Sequence, residues 1–220
     1  MPLALCPIIA TFAAITNPMI YDITHGAKAL IFDLDGTLAD TMPYHFQAWQ
    51  KACRRYGIDM DTAFLQAYTG APGWIIAETV IEQNGMKGKV NPEDIMQVKL
   101  DEFYNIQHHV TPIEPVAALV HKYYGLLPMS VGTGGHRSAV EKTLEITGLL
   151  KYFDIIVTAN DVTNHKPHPE TFLRCAELMG IEPQFCEVFE DGDLGIEAAR
   201  RAGMIATDVR GWYHSEWKPV

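Results

Sequence analysis

Short apolar runs that end abruptly in polar turns recur along the chain. Ala29-Leu30-Ile31-Phe32 is apolar at four consecutive positions and stops at Asp33, with Asp35-Gly36-Thr37 just beyond. A run this short, without alternation, predicts a strand buried on both faces, as in a parallel sheet. Residues 127–131, 155–157, 188–189 and 204–209 read the same way. The second run closes on Gly132 and the Gly134-Gly135 pair, and the fourth on Glu190-Asp191-Gly192. Helical periodicity fills the gaps. In 138–146 the apolar positions are Val140, Leu144 and Ile146, with Gly148 as the stop. Residues 168–179 carry Pro169 in the expected first turn and Gly180 at the end, and Ala-rich 194–202 halts at Gly203. From about residue 113 onward, strand and helix alternate. This predicts an α/β fold, a parallel sheet with helices on both faces.

Residues 42–110 break that rhythm. They hold helical patterns at 44–56, 75–84 and 93–108 and no strand signal, so a helical block interrupts the alternation after the first strand. The chain has 220 residues, enough for one core domain with a modest insert. The N-terminal stretch 3–15 is mostly apolar, but it is short of the roughly 20 residues that span a bilayer and lacks a basic leader region. Met19 is the expected native start, or 1–18 is an extension packed on the core.

Composition narrows the function. With 48% hydrophobic and 20% charged residues, the chain can bury a sizeable core. A formal net charge of −10 argues against nucleic acid and anionic membranes as partners, since both require basic surface. Cys6, Cys53, Cys175 and Cys186 form no CxxC pair and are expected to be free thiols of a reducing, cytoplasmic protein.

Polar clusters fall at the C-terminal ends of four expected strands, the edge where open α/β sheets bind ligands. They are Asp33/Asp35, Thr133, Lys166 and Glu190/Asp191. One carboxylate after a strand is usually a turn or cap residue. Four clusters on successive loops match what phosphoryl transfer requires: a nucleophile, a cation site and donors for phosphate oxygens. Asp33, Glu190 and Asp191 supply hard oxygens of the kind magnesium prefers. Lys166 supplies charge and Thr133 a hydroxyl. Gly134 and Gly135 leave backbone N–H groups open near a helix start.

The segment Phe32-Asp33-Leu34-Asp35-Gly36-Thr37-Leu38 resembles the signature of haloacid dehalogenase superfamily phosphatases. His165-Lys166-Pro167-His168-Pro169-Glu170 is similar to the lysine motif of that superfamily, and the stretch from Phe189 through Arg200 to its acidic motif. Asp40-Thr41 followed by Tyr44-His45-Phe46-Gln47-Ala48-Trp49 resembles the β-phosphoglucomutase-like branch. Within it the likeness is greatest to bacterial fructose-1-phosphate phosphatases. The resemblance implies a Rossmann-like catalytic core over 19–41 and 112–220, with 42–111 as a helical cap. It also implies a magnesium-dependent phosphatase acting on a small phosphorylated metabolite, a monomer in the cytoplasm. Asp33 is then the nucleophile and Asp35 the general acid and base. Thr133, Gly134 and Lys166 hold phosphate, and Asp33, Asp35, Glu190 and Asp191 form the magnesium site. Lys166–Pro167 is expected to be cis. His45, Thr69, Gly70 and Trp74 are the expected cap and hinge contacts to substrate.

Competing readings fit less well. A phosphorylated receiver module has no helical cap, and its additional acids precede the phosphorylated Asp. A metal-free dehalogenase needs neither Asp35 nor Glu190 and Asp191. A transition-metal site at His108-His109 would need side chains that converge, and adjacent residues are expected to diverge. Asp193 reads as a helix N-cap, and Phe46, Trp49, Tyr123 and Tyr124 as core aromatics. A sugar-phosphate mutase remains the nearest alternative. That branch has Lys-Gly-x-x-Arg in its cap, where this chain has Thr69-Gly70-Ala71-Pro72-Gly73.

Overall fold

The computed structural model describes residues 21–68 and 71–214. The expectations for 1–18, for a start at Met19 and for Thr69 and Gly70 lie outside those residues. The element order is β1 (Ala29–Phe32), α1 (Met42–Arg55), α2 (Thr62–Ala67), α3 (Gly73–Gln83), α4 (Pro92–Ile106), α5 (Glu114–Tyr123), β2 (Met129–Gly132), α6 (Arg137–Ile146), β3 (Ile155–Val157), α7 (Glu170–Met179), β4 (Cys186–Glu190), α8 (Asp193–Arg201) and β5 (Ile205–Asp208). The strands form one parallel sheet in the order β3-β2-β1-β4-β5.

Side chains of successive strand residues point to opposite faces, so β1 feeds two cores. Leu30 and Phe32 join Val131, Phe189 and the inner positions of α5 and α6. Ala29 and Ile31 join Val188 and the inner positions of α7 and α8, among them Phe172, Cys175 and Ala199. All four residues of β1 are inaccessible to solvent, which is why the run shows no polar alternation. Helices α1–α4 lie between β1 and β2 in sequence and bury a third cluster of their own, including Phe46, Trp49, Leu65, Ile76, Val80 and Ile95.

Several elements differ from their expectation. The helix read over 93–108 ends at Ile106, and Gln107–His109 tightens into a 3₁₀ turn. That turn brings the His108 and His109 rings together, with centroids 3.9 Å apart, so they do not diverge. The short α2 and the helix α5 carried no recognised signal. α2 is only six residues long, started by Asp61, whose carboxylate accepts from the Phe64 N–H at 2.7 Å. Pro169 is the cap residue before α7, one position ahead of its first turn. Asp193 is the first residue of α8 behind the cap Gly192, and its carboxylate accepts from Arg210 instead. Phe46 and Trp49 are core residues as read, but Tyr124 is 56% exposed and Tyr123 only half-buried, because α5 ends at the surface there. Cys53, Cys175 and Cys186 are free and buried, and burial pushes their thiols up to about 12, 12 and 11. No described helix is long and apolar enough to cross a membrane.

Candidate active site

Chain connections diverge between β1 and β4, so the crevice outside their carboxyl ends is the expected ligand site. Asp33 directly follows β1 and is 5% exposed, its backbone N–H donating to Phe189 of β4 at 3.0 Å. Glu190 closes β4, and Asp191 follows it. Lys166, from the loop between β3 and α7, donates to Asp33 Oδ1 at 2.6 Å and to Glu190 Oε1 at 2.8 Å. Glu190 Oε2 accepts from the Gly192 N–H at 2.6 Å. Thr37 donates its hydroxyl to Asp191 Oδ1 at 3.0 Å, locking the β1 turn onto the β4 turn. Two glycines make this closeness possible. A Cβ on Gly36, whose φ is +89°, would lie 2.3 Å from Asp191 Oδ2, and one on Gly195 would lie 1.7 Å from Glu190 Oε1. The Lys166–Pro167 peptide is cis.

Asp33, Glu190 and Asp191 place ligand oxygens within 4.8 Å of one another. Three carboxylates face the single ammonium of Lys166, so the cluster is short of positive charge. Burial, opposed by Lys166 and reinforced by Glu190 and Asp35, pushes Asp33 up to about 7. Burial together with Glu190 and Asp33 also raises Asp191 well above the ordinary carboxylate range. Burial works against the Lys166 charge, but Asp33 and Glu190 outweigh it and hold the ammonium protonated. An all-oxygen donor set with uncompensated negative charge fits a hard divalent cation such as magnesium.

Asp35 belongs to a different network. Its Oδ1 lies 3.0 Å from His45 Nε2, and His45 Nδ1 lies 3.1 Å from Lys99 Nζ. An ammonium can only donate, so Nδ1 accepts from Lys99 and Nε2–H donates to Asp35. Burial favours protonation of Asp35, yet His45 and the more distant Lys99 overcome it and hold the carboxyl at about 2. His45 is itself pushed down by burial and by Lys99, against the pull of Asp35. Burial lowers Lys99 to about 8. The His45 ring stacks on Phe103, with centroids 4.1 Å apart.

A cavity of about 570 Å³ opens over these groups, between the sheet edge and helices α1, α3 and α4. Asp33, Asp35, Thr133, Gly134, Lys166, Glu190 and Asp191, from the loops at the sheet edge, form its floor; His45, Trp74 and Lys99 line it from helices α1, α3 and α4. The Thr133 hydroxyl accepts from the Gly135 N–H at 3.1 Å, leaving its own proton to donate. Trp74 is 47% exposed at the rim. The structure thus brings together every candidate residue of the sequence reading that it describes.

Two side chains escaped that reading. Lys99 falls on the apolar stripe of α4, in register with Ile95, Met96 and Phe103, and a lysine on such a stripe was the available signal. Tyr213 donates its hydroxyl to the Gly36 carbonyl from the far end of the chain, with no local motif to mark it. Burial and the neighbouring Asp191, Asp40, Asp33 and Glu190 push its phenol up, so it keeps its proton.

Comparison with known proteins agrees with this geometry. Residues 30–209 match the family described as haloacid dehalogenase-like hydrolase. The fructose-1-phosphate phosphatase YqaB of Escherichia coli is 43% identical over 182 residues, covering 82% of this chain and 95% of that protein. The validoxylamine A 7'-phosphate phosphatase of Streptomyces hygroscopicus is 30% identical, covering 86% of this chain and 88% of that protein. Among solved structures, the β-phosphoglucomutase of Clostridium difficile superposes with a TM-score of 0.75 at 28% identity, covering 83% of this chain and 84% of the other.

Proposed function

The chain belongs to the haloacid dehalogenase-like hydrolases and is a phosphatase, and from that premise we propose that it hydrolyses a small sugar monophosphate, fructose 1-phosphate or a near relative. The observation that carries the proposal is the buried Asp33–Lys166–Glu190 cluster with Asp191, on the floor of a cavity large enough for a hexose phosphate. In this reading a carboxylate oxygen of Asp33 attacks phosphorus as the bond to the sugar oxygen breaks. Asp35 gives that oxygen its proton, then takes one from the water that cleaves the aspartyl-phosphate. His45 and Lys99 favour the ionised form of Asp35, the form the second step uses, and the negative phosphate of a bound substrate pushes the other way, toward the protonated form the first step uses. Lys166, Thr133 and the Gly134 N–H bind the phosphoryl oxygens. Asp33, Asp191 and the Asp35 backbone carbonyl would hold magnesium, with Glu190 beside them. Bound there, magnesium neutralises phosphate charge and makes phosphorus easier to attack.

We read 42–111 as a cap over this site and 19–41 with 112–220 as the core. His45 and Trp74, with Thr69 and Gly70, form the cap's contacts to the sugar. A monomeric state and a cytoplasmic location complete the proposal, in keeping with three buried free thiols. Phosphate release screened over sugar monophosphates, with magnesium and with EDTA, tests it. Turnover should be greatest on a ketose or polyol monophosphate, vanish with EDTA, and fall to near background in Asp33→Asn. Full activity in EDTA would sink the metal assignment. More than about a tenth of kcat left in Asp33→Asn would sink the nucleophile, because losing one costs far more than tenfold.

A further inference from the structure

Tyr213 does not line the cavity, yet its hydroxyl donates to the carbonyl of Gly36, in the turn that carries Asp33 and Asp35. We propose that Tyr213 is a positioning residue that fixes the metal-binding face of this turn from behind. The inference rests on the magnesium site proposed above.

Within the turn the Leu34 carbonyl accepts from the Thr37, Leu38 and Ala39 N–H groups at 3.3, 3.0 and 3.0 Å, so the Gly36–Thr37 peptide unit is held from inside by the longest of the three. Gly36 sits at a positive φ, where the backbone is least restrained by side-chain sterics. Its N–H donates to the Ala39 carbonyl at 2.9 Å. Because a peptide unit is planar, that bond also orients the Asp35 carbonyl joined to it. The next peptide unit is held by Tyr213. One residue further on, Thr37 reaches Asp191 at 3.0 Å. The peptide unit that Tyr213 holds therefore lies, along the chain, between the unit carrying the Asp35 carbonyl and Thr37, whose hydroxyl meets the Asp191 carboxylate. With the Tyr213 bond removed, the 3.3 Å bond from the Thr37 N–H to Leu34 is what keeps this peptide unit oriented, and both oxygens can shift.

The residue before Tyr213 is held by an aromatic stack. Trp212, its neighbour, lies flat on Tyr21 with centroids 4.2 Å apart and planes 12° from parallel. The edge of Trp212 meets Phe189 at 5.9 Å, and Phe189 stacks on Phe32 at 4.9 Å. Phe32 and Phe189 directly precede Asp33 and Glu190. The Trp212 N–H donates to the Val209 carbonyl at 2.9 Å, and the Tyr21 hydroxyl to the Gly211 carbonyl at 3.4 Å. Segments from the two ends of the described chain thus converge behind the site and aim one donor at the Gly36 carbonyl.

Calorimetric titration of magnesium into the full chain decides the matter. Binding by the wild type, and its loss in Asp191→Ala, establishes the site. Tyr213→Phe keeps the ring and removes only the donor. It should raise the magnesium Kd about fivefold, the value of one hydrogen bond between neutral groups. At saturating magnesium, KM for the sugar phosphate should change by less than about twofold, since the phosphate and sugar contacts are intact. A purely structural role would lower the Tm of the metal-free protein and leave the Kd alone. A Kd within about twofold of wild type therefore overturns the inference, whatever happens to Tm or kcat. A wild type that takes up no magnesium overturns the metal site and this inference with it.

Discussion

Residue by residue, the site was legible where its chemistry directly follows a strand. Asp33, Thr133 and Glu190 each end or follow a buried run, and β-structure fixes where the next side chain goes. Lys99 was not legible in that way, because it reaches Asp35 through His45 from a helix 54 positions after His45. Its effect on Asp35 is nevertheless testable. Burial favours the protonated acid, while His45 and Lys99 hold the carboxyl at about 2. Folded-state stabilisation of this carboxylate is thus present above its ordinary value and lost as pH falls through about 2. Lys99→Met removes a positive charge, so the pKa of Asp35 should rise. Followed by carbon-13 NMR, the Asp35 carboxyl should then titrate higher by up to about one pH unit, the scale of one nearby charge. Lys99 is held down to about 8 and loses its own charge above that pH. An Asp35 titration that stays in place in Lys99→Met would separate Lys99 from the acid–base group.

Among the elements, strands and long helices were read close to their observed bounds, since burial on both faces and a 3.6-residue stripe leave plain patterns. The losses were α2, too short for a periodic stripe, and α5, whose mixed surface hides its buried face of Val116, Ala117, Leu119 and Val120. The end of α4 was read two residues long because Gln107 and His108 carry no stop signal. That end is where α4 meets the catalytic core. Gln107 is 1% exposed and donates from Nε2 to the Ala139 carbonyl at 2.7 Å and to the Thr143 hydroxyl at 2.6 Å, both on α6. Beside it, the Tyr104 and Ser138 hydroxyls lie 2.5 Å apart. Gln107→Leu fills similar space but removes the side-chain bonds to two buried acceptors, the Thr143 hydroxyl and the Ala139 carbonyl. It should cost about 2 kcal/mol of stability, read as a lower urea midpoint at unchanged m. A loss under about 0.5 kcal/mol would mean that the α4–α6 junction does not depend on these bonds.

At the scale of the whole molecule, the fold alone does not separate a phosphatase from a mutase, because the same sheet and helical insert occur in a β-phosphoglucomutase. Charge at the two ends of the cavity does. A mutase must hold a bisphosphate while it turns over, so it needs cations at the upper end as well as the floor. Lys99 and Lys166 are the lysines lining this cavity among the described residues, and no described arginine lines it. Lys166 is bound to Asp33 and Glu190 on the floor. Lys99 is the one cation that the sequence reading of a neutral cap did not anticipate, and it already donates to His45. Of the other cap cations that could serve, Lys51 pairs with Glu102 and Lys87 with Glu82, and neither of these nor Arg54 lines the cavity. Glu93 faces the cavity and would repel a second phosphate. An arginine–phosphate pair is strong and geometrically specific, and a single engaged lysine does not replace it. With β-glucose 1-phosphate and its bisphosphate supplied, release of phosphate should therefore exceed formation of glucose 6-phosphate by roughly tenfold or more, the value of one such charged pair. A coupled assay that follows glucose 6-phosphate beside free phosphate measures both. Isomerisation faster than release would mean that Lys99 leaves His45 to grip the second phosphate, and the chain would then be a mutase.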